Sequence, residues 1–206
     1  RDILKRYAIE KDRVTVCYPG VDARFSPAGK KYVQEIPYFL FVGSLNKAKD
    51  LSLAIASFAL FLKKVKKPYD FFLIGGDYWP DPSIDLSIDG YKLEERVKKL
   101  GHISDEQLPE YYRGATAFFT TAIREGLCLP AVEALSSGTP VIAVDRGAMK
   151  EVVGNGGLVA SSIDPSDIAD SLFTIATKQK QREILTQLAM KRAQRFSWKS
   201  FAACVY

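Results

Sequence analysis

Histidine occurs once in this 206-residue chain, at His102, and cysteine three times, at Cys17, Cys128 and Cys204. The cysteines are odd in number and none stands in a Cys-x-x-Cys spacing, so neither a disulfide framework nor a zinc site is expected, which fits a reducing compartment. A nucleophilic role for Cys128 would need a neighbouring base, and the sequence offers none. No cluster of Asp or Glu has metal-ligand spacing, so metal independence is expected. No Gly-x-Gly-x-x-Gly follows an apolar run, which argues against a nicotinamide dehydrogenase. No apolar run is long enough to cross a bilayer; residues 51–62 reach about two-thirds of the ~20 residues needed and include Ser52 and Ser57. No signal peptide is recognisable. The net charge of +5 is spread along the chain rather than set in a basic stripe with aromatics, so nucleic acid is not expected as a partner.

What is present alternates. Residues 13–17, 38–42, 71–74, 116–120, 140–144 and 157–159 are short, apolar and bounded by Gly, Pro or Asp, as parallel strands covered on both faces are. Helical patterns occupy 50–66, 92–99, 105–114, 130–137 and 165–177, and Trp79-Pro-Asp-Pro82 opens a loop to about residue 89. The expected fold is α/β, a Rossmann-like doubly wound parallel sheet. The chain from Lys178 onward reads as polar and helical. Lys63-Lys-Val-Lys-Lys67 closes the second pattern as a solvated helix end, with contact to anionic lipid as the lesser reading.

Ligands of such sheets bind at the carboxyl ends of the strands. Three loops fall there: Gly43-Ser-Leu-Asn-Lys-Ala-Lys49, Gly75-Gly-Asp77, and the stretch Glu125-Gly-Leu-Cys-Leu-Pro-Ala-Val-Glu133. In the last, Pro130 suits the opening position of a helix that closes on Gly138. The N–H groups of Gly126, Leu127, Cys128 and Leu129 then gather before the helix, an arrangement that attracts phosphate. Glu133 lies about one turn inside, and Glu125 sits at the strand tip. One carboxylate suits a ribose diol and the other a sugar hydroxyl. Spacing alone does not separate this from chance, since a Glu in the opening turn gains about 0.3–1 kcal/mol from the helix dipole with no ligand at all.

The flanking residues decide the matter. Arg124-Glu-Gly-Leu-Cys-Leu-Pro-Ala-Val-Glu-Ala-Leu-Ser-Ser-Gly-Thr-Pro-Val-Ile142 resembles the signature of the family 4 (group 1) glycosyltransferases, retaining enzymes of the GT-B fold. Val16-Cys-Tyr-Pro-Gly-Val-Asp-Ala-Arg-Phe25, the Gly43 loop, Leu100-Gly-His-Ile-Ser-Asp-Glu-Gln-Leu-Pro-Glu-Tyr-Tyr112, Met149-Lys-Glu-Val-Val-Gly154 and Arg195-Phe-Ser-Trp198 match the same family in the same order. The resemblance implies one half of a GT-B enzyme: residues 1–190 as the nucleotide-sugar-binding C-terminal domain, and 191–206 as a helix crossing back to an N-terminal domain that has no counterpart here. The absence of an initiator Met fits an excised domain. The resemblance further implies a nucleotide-diphosphate sugar as donor substrate, no separate cofactor, a glycan or lipid-linked acceptor, and a cytoplasmic place, at most peripheral at the inner membrane face.

By the same resemblance Glu125 orients the sugar near the reacting carbon and Glu133 grips the ribose. Ser44 and Lys49, with Gly126, Leu127, Cys128 and Leu129, hold the phosphates. Gly43, Lys47, Gly75, His102 and Ile103 line the cleft or the base. Two departures stand out. Ser44 replaces the Arg that the family carries after Gly43, which removes a cationic clamp, and Cys128 replaces a Gly. Two rivals remain open: a sugar epimerase on the same fold, and a binding or scaffold module without turnover. A paired-carboxylate glycosidase would leave the phosphate cradle unexplained.

Overall fold

Strands β1 (Tyr38–Val42), β2 (Asp70–Ile74), β3 (Val97–Gly101), β4 (Ala117–Thr120), β5 (Val141–Val144) and β6 (Gly157–Ala160) form one sheet in the order β3-β2-β1-β4-β5-β6. Every neighbouring pair is parallel. The structure is a computed structural model that describes residues 2–206. Its helices are α1 (Asp2–Arg6), α2 (Leu51–Lys64), α3 (Pro82–Tyr91), α4 (Leu108–Gly114), α5 (Leu129–Ser136), α6 (Met149–Val153), α7 (Pro165–Thr177), α8 (Gln179–Ala193) and α9 (Trp198–Val205). This is the Rossmann-like α/β sheet that the alternating pattern implies.

Alternate residues of each strand point to opposite faces, and here both faces are apolar because both are covered. On one face Phe39, Phe41, Phe71, Leu73, Phe119 and Val144 pack against α2, α3 and α7. On the other Tyr38, Leu40, Phe72, Phe118, Val141 and Ala143 meet α4, α5, α6 and α8, whose contacts include the small residues Ala131, Ala134 and Ala189. The order reverses between β1 and β4, where the connections from the two strands leave toward opposite faces. Ligands of such sheets bind where the order reverses, here at the carboxyl ends of β1 and β4, where the site described below lies.

Four expectations are corrected. Residues 92–99 are not a helix but lead into β3, an edge strand; its Lys98 and Lys99 mimic a polar helix face, yet lysines are a common device on exposed edges. The loop expected from Trp79 onward instead holds α3, opened by Asp81, whose side chain accepts from the Ser83 N–H, and by Pro82 at the helix start. Residues 13–17 join no strand ladder; they follow a 3-10 turn at Lys11–Arg13. They end at Cys17, which forms a disulfide with Cys204 in α9, while Cys128 stays free and buried. Spacing arithmetic detects local cysteine frameworks and cannot see a bond across 187 residues. The argument from cysteine usage to a reducing compartment loses its premise. Among the described residues no helix is long and apolar enough to cross a membrane.

Candidate functional site

Helix α5 starts at Leu129 behind Cys128, which caps it in a left-handed conformation with φ 58°. A side chain at positive φ costs about 1 kcal/mol or more, a cost that a glycine there would not bear. Cys128 is buried at 7 % exposure. Burial, and after it the Glu125 carboxylate, pushes its thiol up to about 12. It is therefore a protonated filler rather than a nucleophile. The Glu125 and Glu133 carboxylates raise this thiol and the Lys49 ammonium lowers it.

Among the described residues, the N–H groups of Gly126, Leu127, Cys128 and Leu129 donate to no protein acceptor. Unpaired donors at the positive end of a helix attract an anion. Beside them the Lys49 ammonium pairs with the Glu125 carboxylate, both side chains being largely shielded at 24 % and 16 % exposure. The sequence reading gave Lys49 to the phosphates and Glu125 to the sugar; the pair joins them.

Two loops hold this pair in place. Thr121 donates its hydroxyl to the Asp50 carbonyl at 2.8 Å and the Lys49 carbonyl at 3.2 Å, and the Ile123 N–H reaches the Ala48 carbonyl at 2.9 Å. From the β5–α6 loop, Arg146 Nη1 donates to Asp50 Oδ2 at 2.6 Å and to the Thr121 carbonyl at 3.1 Å. Next to it, the Ala148 N–H donates to the Glu125 carbonyl at 3.0 Å. Gly147 has φ 60°, and a Cβ there would lie 2.6 Å from the Glu125 carbonyl oxygen. Sequence reasoning missed Thr121, Arg146 and Gly147, because each acts on groups (backbone carbonyls and, for Arg146, the Asp50 carboxylate) that only the tertiary structure brings near.

Glu133, on the inner side of α5, accepts a 2.7 Å hydrogen bond from the hydroxyl of the fully buried Tyr112. Burial raises the Glu133 pKa above the ordinary carboxylate value, and the Tyr112 bond opposes the rise in part. Burial and the Glu133 charge together raise Tyr112 well above its usual range, so it stays a donor. The residue pattern that suggested Glu133 held no sign of this tyrosine partner.

The remaining expected residues divide. The Gly43 N–H donates to the Ile74 carbonyl and the Gly75 N–H to that of Gly101, so their amides are committed. Gly75 has φ 144°, and a Cβ on it would lie 2.0 Å from the Gly43 carbonyl oxygen; its glycine serves loop-to-loop contact. The Ser44 hydroxyl is buried and has no hydrogen-bond partner among the described residues. Lys47 is exposed and lines a cleft of ≈ 590 Å³ with Trp79 and Pro82, whose walls, among the described residues, include neither Lys49 nor Glu125. His102, exposed, and Ile103, half-buried, follow β3 directly, beside the Gly101 carbonyl that Gly75 contacts. Among the described residues no three His, Cys, Asp or Glu side chains gather to hold a metal ion.

Comparison with known proteins bears on the family and the fold. The chain is 29 % identical over 163 residues to O-antigen chain mannosyltransferase B of Escherichia coli, covering 79 % of this chain and 43 % of that protein. It is 29 % identical over 220 residues to D-inositol 3-phosphate glycosyltransferase of Corynebacterium glutamicum (strain R), covering 98 % and 53 %. The chain thus spans about half the length of the curated relatives it matches. Its fold superposes with a TM-score of 0.82 on S. aureus TarM, solved with fondaparinux, alpha-GlcNAc-glycerol and UDP, at 20 % identity over 99 % of this chain and 40 % of TarM. The family described as "Glycosyl transferases group 1" matches residues 24–192, and this chain belongs to that family.

Proposed function

We propose that this chain is the donor-binding half of a retaining glycosyltransferase that takes a nucleotide-diphosphate sugar. The observation that carries the reading is the set of uncommitted N–H groups at Gly126, Leu127, Cys128 and Leu129 beside the Lys49–Glu125 pair. Those donors match the oxygens of a diphosphate. Breaking a glycosyl–phosphate bond builds negative charge on the departing diphosphate and positive charge on the sugar ring. Lys49 and the α5 N-terminus stabilise the departing charge, an interaction that strengthens toward the transition state. A diphosphate that takes the Lys49 ammonium releases Glu125 from its ion pair, and the freed carboxylate faces the sugar. Glu133, steadied by Tyr112, accepts from the ribose hydroxyls. UDP in the TarM complex supports a nucleoside diphosphate as the class of ligand.

The proposal includes metal-independent binding, a glycan or lipid-linked acceptor, and an N-terminal GT-B domain that completes the cleft. It places the protein in the cytoplasm, at most peripheral to the membrane, and it expects no transfer by this half alone. Calorimetric titration of the chain with UDP, GDP and ADP, with and without EDTA, tests the reading. EDTA-insensitive binding that favours one base is expected. Failure of all three to bind a folded sample, and also to bind after an N-terminal domain is restored, would sink it in favour of a scaffold module. Release of free sugar products without any acceptor would favour the epimerase.

A further inference from the structure

At the opposite end of the sheet, where the strands begin, lies a second cleft of ≈ 350 Å³. Among the described residues its walls include Lys31, Arg113, Thr116, Ser137, Thr139 and Arg182, and no acidic side chain. Two helices, α4 and α5, end there, and helix C-termini ordinarily favour cations. Here five of those carbonyls already have donors. The Ala115 N–H and the Tyr38 hydroxyl take the Tyr111 carbonyl, and the Thr139 hydroxyl takes that of Tyr112 at 2.6 Å. The N–H groups of Ser137, Thr139 and Gly138 take the carbonyls of Glu133, Ala134 and Leu135. Arg113 spends Nε and Nη1 on the carbonyls of Lys30, Arg24 and Ser26.

Basic side chains facing the cleft are left over. Among the described residues neither Lys31 nor the half-buried Arg182 has an acidic partner within ion-pair distance. The Ser137 hydroxyl has no hydrogen-bond partner although Ser137 is only 4 % exposed. A buried polar group of that kind needs an explanation, because an unmade hydrogen bond costs about 1–3 kcal/mol. We propose that this cleft binds a phosphate group, held by Lys31, Arg182 and the outer nitrogen of Arg113, with the Ser137 hydroxyl donating to it. The volume accommodates a phosphorylated small molecule or a lipid headgroup. The site is independent of the donor reading, since it lies at the other end of α5, about 12 Å along the helix axis.

Titration of the isotope-labelled chain with inorganic phosphate at constant ionic strength, followed by amide NMR shifts, tests this. Saturable shifts are expected at Thr116, Ser137, Gly138 and Thr139, separate from any at the start of α5, and they persist in Lys49→Ala. Arg182→Gln weakens them about tenfold, the loss of one charge-assisted bond, while Lys180→Gln on the same helix leaves them unchanged. Ser137→Ala weakens phosphate several-fold yet leaves the thermal midpoint in place, because its hydroxyl makes no bond in the fold. Co-sedimentation with phosphatidylglycerol vesicles but not phosphatidylcholine vesicles, lost in Arg182→Gln, would identify the source as a lipid headgroup. Phosphate shifts without vesicle binding would identify a free phosphorylated compound. Absence of saturable shifts at these amides, or equal weakening by Arg182→Gln and Lys180→Gln, overturns the proposal.

Discussion

Two loops rise from the same end of the sheet, residues 43–50 after β1 and 121–128 after β4, and they offer opposite resources. In the β1 loop the amides of Gly43, Leu45, Asn46, Ala48, Lys49 and Asp50 are all bonded within the protein. Among the described residues the Ser44 and Lys47 amides are its remaining free donors, and Lys49 supplies its charge. In the β4 loop the amides of Gly126, Leu127 and Cys128 have no protein acceptor among the described residues, and in the proposed reading the backbone itself is the binding surface. A closed loop aims a charge; an open one supplies a cradle. The Lys49–Glu125 pair is where they meet.

The largest effect should come from pushing the two apart. Gly147→Val would drive a Cβ into the Glu125 backbone at a positive φ, costing on the order of 1–3 kcal/mol of stability. Nucleoside diphosphate binding should be lost altogether, as calorimetry beside thermal unfolding would show. Binding retained at full strength would mean that the cradle does not depend on this prop.

Removing the charge while keeping both backbones comes next. Lys49→Met should weaken nucleoside diphosphate by about 10–100-fold, the worth of one hydrogen bond to a charged group. It also leaves Glu125 without its partner, so a Glu125→Gln change in the same background should recover stability but not affinity. If affinity returned with it, the cradle rather than the ammonium would be holding the diphosphate.

The Glu133 carboxylate gives a pH-dependent test. Its folded pKa is raised by burial, so the folded state holds its proton more tightly than the unfolded state does. Stability from this group is present below the ordinary carboxylate range and is lost as pH rises through the folded value. Glu133→Gln should flatten that part of the stability profile. Nucleoside affinity in the parent chain should rise over the same window, as the carboxylate becomes a full acceptor for ribose. Tyr112→Phe should cost about 1 kcal/mol of stability and weaken nucleoside binding, whereas a purely structural tyrosine would move stability alone.

Ser44→Ala should have the smallest effect. Its hydroxyl is unpartnered, so the thermal midpoint should not fall, and a few-fold loss of affinity would show that a phosphate oxygen reaches it. Unchanged affinity would leave the β1 loop with Lys49 as its one contact to the diphosphate.

The legible parts of this molecule are those where chemistry is local. The apolar runs of β1, β2, β4 and β5 needed only their own residues, and Pro130 announced the start of α5. The Asp81–Pro82 opening of α3 was equally local but lay behind a Trp-Pro run that resembles a loop. β3 was hidden because its lysines belong to an edge, and being at an edge is a property of the sheet. Arg146 and Thr121 were illegible for a different reason. Both act on carbonyls of residues far off in sequence, which look the same in every amino acid, and the acidic partner of Arg146, Asp50, lies 96 residues away. The Cys17–Cys204 bond was unreadable on the same ground, since no spacing rule spans the chain.

The reversal of strand order between β1 and β4 also has a kinetic side. Phe39 and Ala117 pair across that seam, whereas β2 and β3 meet β1 and each other over much shorter stretches of chain. Closing the longer loop costs more entropy, so the two halves of the sheet should form before they dock, and the crevice should be among the last features to appear. A ligand bound there grips contacts absent from the folding barrier. It should therefore lengthen the native lifetime of the protein while leaving its refolding rate almost untouched.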